Sequence, residues 1–308
     1  MAPMPPHELI GRTRPVTRSQ LVRDLQALGV APGGVLMVHT RMSSLGWLVG
    51  GTQTVVEALL EAVGERGTLM AYAGWEDDPY HLAEWPEERR QAYLEELPPF
   101  HPLLSAADPD FGRIPERIRT WPGARASDAH VGRMVAVGAR AEWLTADAHR
   151  DHVFGPGSPL ARLVEAEGQV LLLGAPMETL TVLHHAEALV DSPEKRLISY
   201  RIPFSDGEHV VWREICDHET SSPGAFRYER VVPKDVDAFE VIGREALAAG
   251  VGRSGRVGEA ECHLFPAAAL VRFAVAWIEA RFGAADGREN PSPASAEKTA
   301  DAASASAG

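Results

Sequence analysis

Cysteine is nearly absent: Cys216 and Cys262 are the two thiols in 308 residues, and they have no CxxC spacing. That excludes a disulfide framework and a thiolate metal site. An excess of basic charge is missing too. Thirty Lys and Arg stand against 43 Asp and Glu, a formal net charge of -13, which argues against a nucleic-acid footprint or attraction to an anionic membrane surface. Small molecules are the expected partners. No apolar run reaches the ~18 to 20 residues of a membrane span. The opening "MAPMPPHELIGRTRPVTR" places prolines where a signal peptide needs its apolar segment, so a cytoplasmic location is expected. What the chain does have is 45% hydrophobic residues and 7 Trp, enough for one large domain or two ordinary ones.

Periodicity then separates helices from strands. "TRSQLVRDLQALGV" reads as an amphipathic helix with Leu21, Leu25 and Leu28 on one face and Gly29 as its stop, and "GGVLMVH" (33 to 39) follows as a buried strand. Gly50-Gly51 precede a second helix, in which Thr54 and Glu57 have capping-box spacing and Gly64 marks the end. "GTLMAYAG", "RMVAVG" (133 to 138) and "QVLLLG" (169 to 174) are further strands. The expected fold class is α/β, a central mainly parallel or mixed sheet flanked by helices. Residues 76 to 113, acidic, aromatic and broken by prolines, fit an active-site lid or a surface excursion, with one helical piece near 86 to 97. "LISYRIPFSDGEHVVWREIC" alternates and turns at Asp206-Gly207, which predicts a β-hairpin in the C-terminal part. "ALVRFAVAWIEARF" closes a single domain over 1 to 283, and the polar remainder, 284 to 308, reads as a disordered tail.

Chemistry concentrates in "TLTVLHHAEALV" (179 to 190). On a helix, His184 and Glu187 share a face while His185 points about 100° away. A metal site would want three or four ligands, but HExxH is absent and residue 188 is alanine where HxxEH would need histidine. No metal is expected. Two readings of His184 remain open on the residues alone: a core histidine satisfied by Glu187, or a catalytic base. Its helix follows an apolar strand, and open α/β sheets bind ligands at the carboxyl ends of strands. Serine-hydrolase chemistry lacks its GxSxG, and "GVGRSG" (250 to 255) matches a dinucleotide fingerprint but follows a helical stretch instead of a strand, which makes Gly250 a helix terminator.

Taken together, "VLMVHTRMSSLGWLVGGTQTVVEAL" (35 to 59), "GTLMAYAGWEDDPY" (67 to 80), "GPGSPLARL" (155 to 163), "VLLLGAP" with "TLTVLHHAEA" (170 to 188) and "FAVAWIEARF" (273 to 282) resemble the aminoglycoside 3-N-acetyltransferase family, in order and over residues 9 to 283. The resemblance implies a non-GNAT fold that transfers acetyl from acetyl-CoA to an amine, and it allows a homodimer. By position, His184 resembles the family's general base and Glu187 its acidic partner. His39, Thr40, Arg41, Met42, Ser43, Ser44 and Leu45, with Gly50, Gly51, Thr52, Gly157 and Ser158, resemble acetyl-CoA-binding loops. Thr52 and Thr54 would meet a CoA phosphate or cap the second helix, with capping the stronger expectation.

Departures from the family pattern bear on the acceptor. Arg41 stands where relatives carry serine, and in "ASDAHVGR" Ala129, His130 and Arg133 replace histidine, proline and serine. Added guanidinium groups oppose a polycation and suit a phosphonate or phosphate, while Glu76, Asp77 and Asp78 suit an ammonium group. The leading expectation is therefore a primary amine that also bears negative charge, bound by Glu76, Asp77, Asp78, His130 and Arg133. The alternative is the 3-amino group of an aminoglycoside, making a resistance enzyme. A non-catalytic CoA or small-molecule sensor is the alternative of another class.

Overall fold

A computed structural model describes residues 14–78, 82, 85–146, 153–205, 209–220 and 224–283. The expected tail at 284 to 308, the expected hairpin turn at Asp206-Gly207 and part of the expected lid (79–81 and 83–84) lie outside the described residues.

Seven strands form one sheet in the order β3-β4-β2-β1-β5-β9-β8. At its centre β1 (Val35–Thr40) runs parallel to β2 (Thr68–Tyr72) and to β5 (Gln169–Leu173). β4 (Met134–Gly138), β3 (Arg125–Ala126), β9 (Ala260–Pro266) and β8 (Arg253–Val257) add antiparallel flanks, so the sheet is mixed. Period-two alternation builds a core on each face. Val35, Met37, Met70, Val170 and Leu172 point to one side, while Leu36, Val38, Leu69, Ala71, Leu171 and Leu173 point to the other.

The second of these faces is covered by α1 (Arg18–Leu28), α2 (Gly51–Val63) and α4 (Arg113–Arg119). In α1 the Thr17 hydroxyl caps the Gln20 N–H at 3.3 Å, Leu21, Leu25 and Leu28 are buried, and Gly29 ends the helix in the left-handed conformation. Each such leucine contributes about 2 kcal/mol by leaving water. α2 starts earlier than its capping-box spacing predicts: Gly50, at φ 81, is the N-cap, and no side chain caps the helix. Neither Thr52 nor Thr54 is a cap, because a glycine in the left-handed region already turns the chain into the helix there.

α5 (Ala141–Thr145), α6 (Pro159–Glu165), α7 (Val182–Leu189), α8 (Ala238–Ala248) and α9 (Ala267–Phe282) cover the first face. The expected hairpin is β6 (Leu197–Ser205) paired antiparallel with β7 (Val210–His218), in a sheet of its own. The expected helical piece in the 76 to 113 segment is α3 (Glu87–Glu96). A third, smaller core of Trp75, Leu97, Phe100, Ile202, Phe204 and Ile215 joins that segment to the hairpin. Among the described residues no helix is long and apolar enough to cross a membrane.

Candidate active site

The parallel strands β2, β1 and β5 all end on the same side, and the loops that follow them surround a cavity of about 1280 Å³. Its floor is the end of β1: Val38, His39 and Thr40, continued by Arg41, Met42 and Ser43. The loop is drawn against the end of β5, where the Arg41 N–H donates to the Leu173 carbonyl at 3.1 Å and the Ser44 hydroxyl to the Arg41 carbonyl at 2.6 Å. Gly174 permits that approach, because a Cβ there would stand 2.0 Å from the Ser44 Oγ. The Nε2 of His39 and the Oγ1 of Thr40 are enclosed and have no hydrogen-bond partner among the described residues. Burial pushes the His39 pKa down to about 4, so this imidazole is neutral at pH 7.

His184 enters from α7. β5 is followed by a short 3-10 turn at Met177–Thr179, and α7 starts at Val182. His184 is thus in the first turn of its helix. The imidazole lies between Phe154 and Phe239, with ring centroids 5.0 and 4.8 Å away. Its Nδ1 bonds the Glu187 Oε2 at 2.6 Å, one turn along. Glu187 is 1% exposed, and its other oxygen accepts from the Tyr228 hydroxyl at 2.7 Å. Desolvation first, then the Glu187 charge, raises the Tyr228 pKa far above its ordinary value, so Tyr228 stays a donor. With Nδ1 committed to a carboxylate, the lone pair of a neutral His184 sits on Nε2. His185, on another face, bonds the Phe154 carbonyl at 2.7 Å and is buried. It holds the chain together and does not line the cavity.

The cavity wall is acidic. Glu76, Asp77, Asp78, Asp108, Asp110 and Glu178 line it, against the two guanidiniums of Arg41 and Arg113. The 76 to 78 stretch is fixed by the Glu76 N–H on the Ala106 carbonyl at 3.3 Å and the Asp78 N–H on the Trp75 carbonyl at 3.2 Å. Asp108 is held by its N–H on the Ala73 carbonyl at 3.0 Å and caps the Asp110 N–H at 2.9 Å. Asp77 also takes the hydroxyl of Tyr93 from α3, whose pKa is raised by desolvation first and then by that carboxylate. Sequence reading singled out Glu76, Asp77 and Asp78 but not Asp108, Asp110, Glu178 or Arg113; "DPD" carried no periodic signal.

Two expected acceptor contacts are not in the cavity. Arg133 is 0% exposed and donates to the carbonyls of Pro102, Ser105 and Ala106 at 3.1, 2.6 and 2.8 Å, with its guanidinium 5.5 Å from the Phe100 ring centre. Desolvation, followed by the nearby Arg119, lowers its pKa to about 10. It ties the 102 to 106 loop to the sheet and has no free face for a phosphonate. His130 is also fully buried, with Nε2 2.7 Å from the Tyr200 hydroxyl, and burial pushes its pKa to about 3. Both residues precede β4 and are buried there, Arg133 against the carbonyls of the 102 to 106 loop and His130 against the rings of Phe100, Tyr200 and Phe204. Among the acetyl-CoA expectations, Ser158 is buried and caps the Ala161 N–H at 3.2 Å at the start of α6, with Gly157 in the turn before it. Neither lines the cavity, nor do Ser44, Leu45, Gly50, Gly51 or Thr52, although Gly50 is exposed at the start of α2.

These features match known proteins over most of the chain. The family model for aminoglycoside 3-N-acetyltransferases matches residues 37–279. The aminoglycoside N(3)-acetyltransferase VIII of Streptomyces fradiae is 54% identical over 282 residues, which is 91% of this chain and 98% of that protein. A solved structure of AAC-IIIb in a binary complex with CoASH superposes with a TM-score of 0.80 at 43% identity, covering 88% of this chain and 98% of that one. A sisomicin-bound AAC-VIa structure gives a TM-score of 0.80 at 37% identity, covering 87% of this chain and all of that one, 100%.

Proposed function

Since the chain belongs to the aminoglycoside 3-N-acetyltransferase family, and is an acetyl-CoA-dependent N-acetyltransferase, we propose that it acetylates the 3-amino group of an aminoglycoside. The observation that carries this reading is the cavity wall: six carboxylates against two guanidiniums, with His184 beside them. A polycation is attracted there, whereas an acceptor bearing a phosphonate would meet like charge. The anionic acceptor expected from Arg41 and Arg133 gives way to the aminoglycoside, because Arg133 is spent on backbone carbonyls and the relatives are aminoglycoside enzymes. The assembled His184–Glu187 pair also speaks against a non-catalytic sensor.

In this reading His184 Nε2 takes a proton from the acceptor ammonium, freeing the nitrogen lone pair to attack the thioester carbonyl. The His184 imidazolium is stabilised by Glu187 at 2.6 Å. Negative charge moves to the carbonyl oxygen, where the first N–H groups of the 3-10 turn at Met42–Ser44 have no partner within the turn and can donate. The Thr40 hydroxyl offers a further donor at the floor. When the tetrahedral intermediate collapses, the C–S bond breaks and CoA leaves as the thiolate, the nitrogen releases its second proton to solvent, and His184 passes the proton it took to the thiolate. His39, neutral, places no cation against the acceptor. Arg41 and Arg113 both line the cavity, and they suit the CoA phosphates. The start of α2, with Gly50 exposed and Gly51 and Thr52 half-buried, extends the same loop and suits the nucleotide end.

No acyl-enzyme and no metal take part in these steps. The test is thiol release from acetyl-CoA with kanamycin-like aminoglycosides beside aminoalkylphosphonates, together with intact mass after acetyl-CoA alone. Turnover of the aminoglycosides with unmodified protein is expected; faster turnover of the phosphonates, or a stable acetyl adduct, would overturn the reading.

A further inference from the structure

Behind the His184–Glu187 pair, the end of β7 presents a group that the reaction does not use. His218 is 3% exposed and donates its backbone N–H and its Nδ1–H to the Asp217 Oδ1, at 2.7 and 3.0 Å. Asp217 is itself held by the Val153 N–H at 2.7 Å. With Nδ1 committed as a donor, a neutral His218 carries its lone pair on Nε2. That atom is buried, has no hydrogen-bond partner among the described residues, and stands 3.7 Å from the Glu187 Oε2. Two acceptors therefore face each other. A proton on Nε2 would turn the repulsion into an ion pair but would not satisfy both atoms with a hydrogen bond at this separation, because N–H···O bonds close at about 2.7 to 3.2 Å.

A metal ion would. Ligand atoms around tetrahedral zinc, each about 2.0 to 2.2 Å from the ion, lie roughly 3.4 Å apart. The donor atoms of His184, Glu187 and His218 all lie within 4.8 Å of one another, a span that small side-chain rotations close. Two imidazoles and one carboxylate with a fourth position open is a recurrent zinc donor set. The supporting hydrogen bonds are in place as well: a ligating histidine commonly donates its other N–H to a carboxylate, and a ligating carboxylate accepts a further hydrogen bond. Asp217 does the first for His218 and Tyr228 the second for Glu187.

We propose that a divalent ion of the zinc class binds between His184 Nδ1, Glu187 Oε2 and His218 Nε2 and shuts the enzyme off. The ion takes the Nδ1 lone pair, and the ring proton that His184 gave to Glu187 moves through solvent to Nε2. The ring stays neutral, but the lone pair that would deprotonate the amine is gone. Binding stands on its own geometry, while inhibition rests on His184 being the base.

Tag-free protein titrated with Co²⁺ is expected to show visible d–d absorption that saturates at one ion per chain and is displaced by Zn²⁺. Zn²⁺ should inhibit acetyl transfer at the concentration that fills this site, and a chelator should restore it. His218→Ala should abolish the spectrum and the inhibition together. Asp217→Asn, which leaves all three ligands in place, should weaken Zn²⁺ binding roughly 10- to 100-fold and covers the case in which the alanine variant does not fold. No Co²⁺ spectrum in the wild type, or a spectrum and affinity that folded Asp217→Asn and His218→Ala proteins leave unchanged, would overturn the site. Stoichiometric binding without inhibition would support the site and overturn His184 as the base.

Discussion

Replacing Glu187 by Gln removes a charge while keeping shape, which makes it the sharpest probe of the pair. Glu187 accepts from His184 Nδ1 at 2.6 Å and from the Tyr228 hydroxyl at 2.7 Å. A Gln Oε1 can still accept from His184, and its amide can donate to the Tyr228 oxygen, so both contacts survive in geometry. Lost is the charge that stabilises imidazolium once His184 holds the amine proton. A hydrogen bond to a charged group contributes about 1.5 to 3 kcal/mol, and at about 1.4 kcal/mol per tenfold the expected fall in kcat is roughly 10- to 150-fold. His184→Ala removes the base itself and should cost roughly 10² to 10⁴ in kcat. Acetyl-CoA affinity should be nearly unchanged in both, since neither change touches the 40 to 45 loop. The assay is thiol release at saturating aminoglycoside, with acetyl-CoA binding measured separately by calorimetry. A Glu187→Gln enzyme as fast as wild type would mean that the carboxylate only holds the ring and its charge matters little. A His184→Ala enzyme as fast as wild type would refute the mechanism, and His185 offers no substitute because its ring is bonded to the Phe154 carbonyl, away from the cavity.

The acidic wall should act on the acceptor alone: Asp77→Asn is expected to raise the aminoglycoside KM by roughly tenfold, with kcat and the acetyl-CoA KM kept, and the effect should shrink as salt rises. A KM that does not move would remove Asp77 from the acceptor site. Arg133→Ser should leave three buried carbonyls without their donor and lower stability by about 3 kcal/mol in denaturant melts, with no swing in preference between anionic and cationic amines. A stable variant with such a swing would restore Arg133 to the acceptor site. His130, with its pKa pushed to about 3 in the fold, makes stability fall with acidity: between that value and the unfolded value near 6.5 the unfolded chain binds a proton that the folded chain does not. Folding should lose about 2 kcal/mol between pH 8 and pH 5 from this group, and His130→Gln should flatten that slope; an unchanged slope would refute it.

The sequence by itself determined the elements whose signal is local. Val35–Thr40, Thr68–Tyr72, Met134–Gly138 and Gln169–Leu173 were legible as apolar runs because both faces of each strand are buried, and α1 because its leucines repeat at helical spacing before Gly29. The His184–Glu187 contact was legible too, since a separation of three on a helix brings two side chains together whatever surrounds them. Only the tertiary structure decided the rest. β8 reads "RSGRV", four of its five residues at least partly exposed, and it becomes a strand by pairing with β9 at the sheet edge. Tyr228 and His218 reach Glu187 from 41 and 31 residues away, distances at which no periodicity operates. Arg133 shows the difference most directly. Its charge was visible in the sequence and suggested an anion, yet the direction of a side chain is set by the backbone and by what packs over it. In this fold three carbonyls of the 102 to 106 loop close around the guanidinium, and a residue that looked like a substrate contact is a tie within the core.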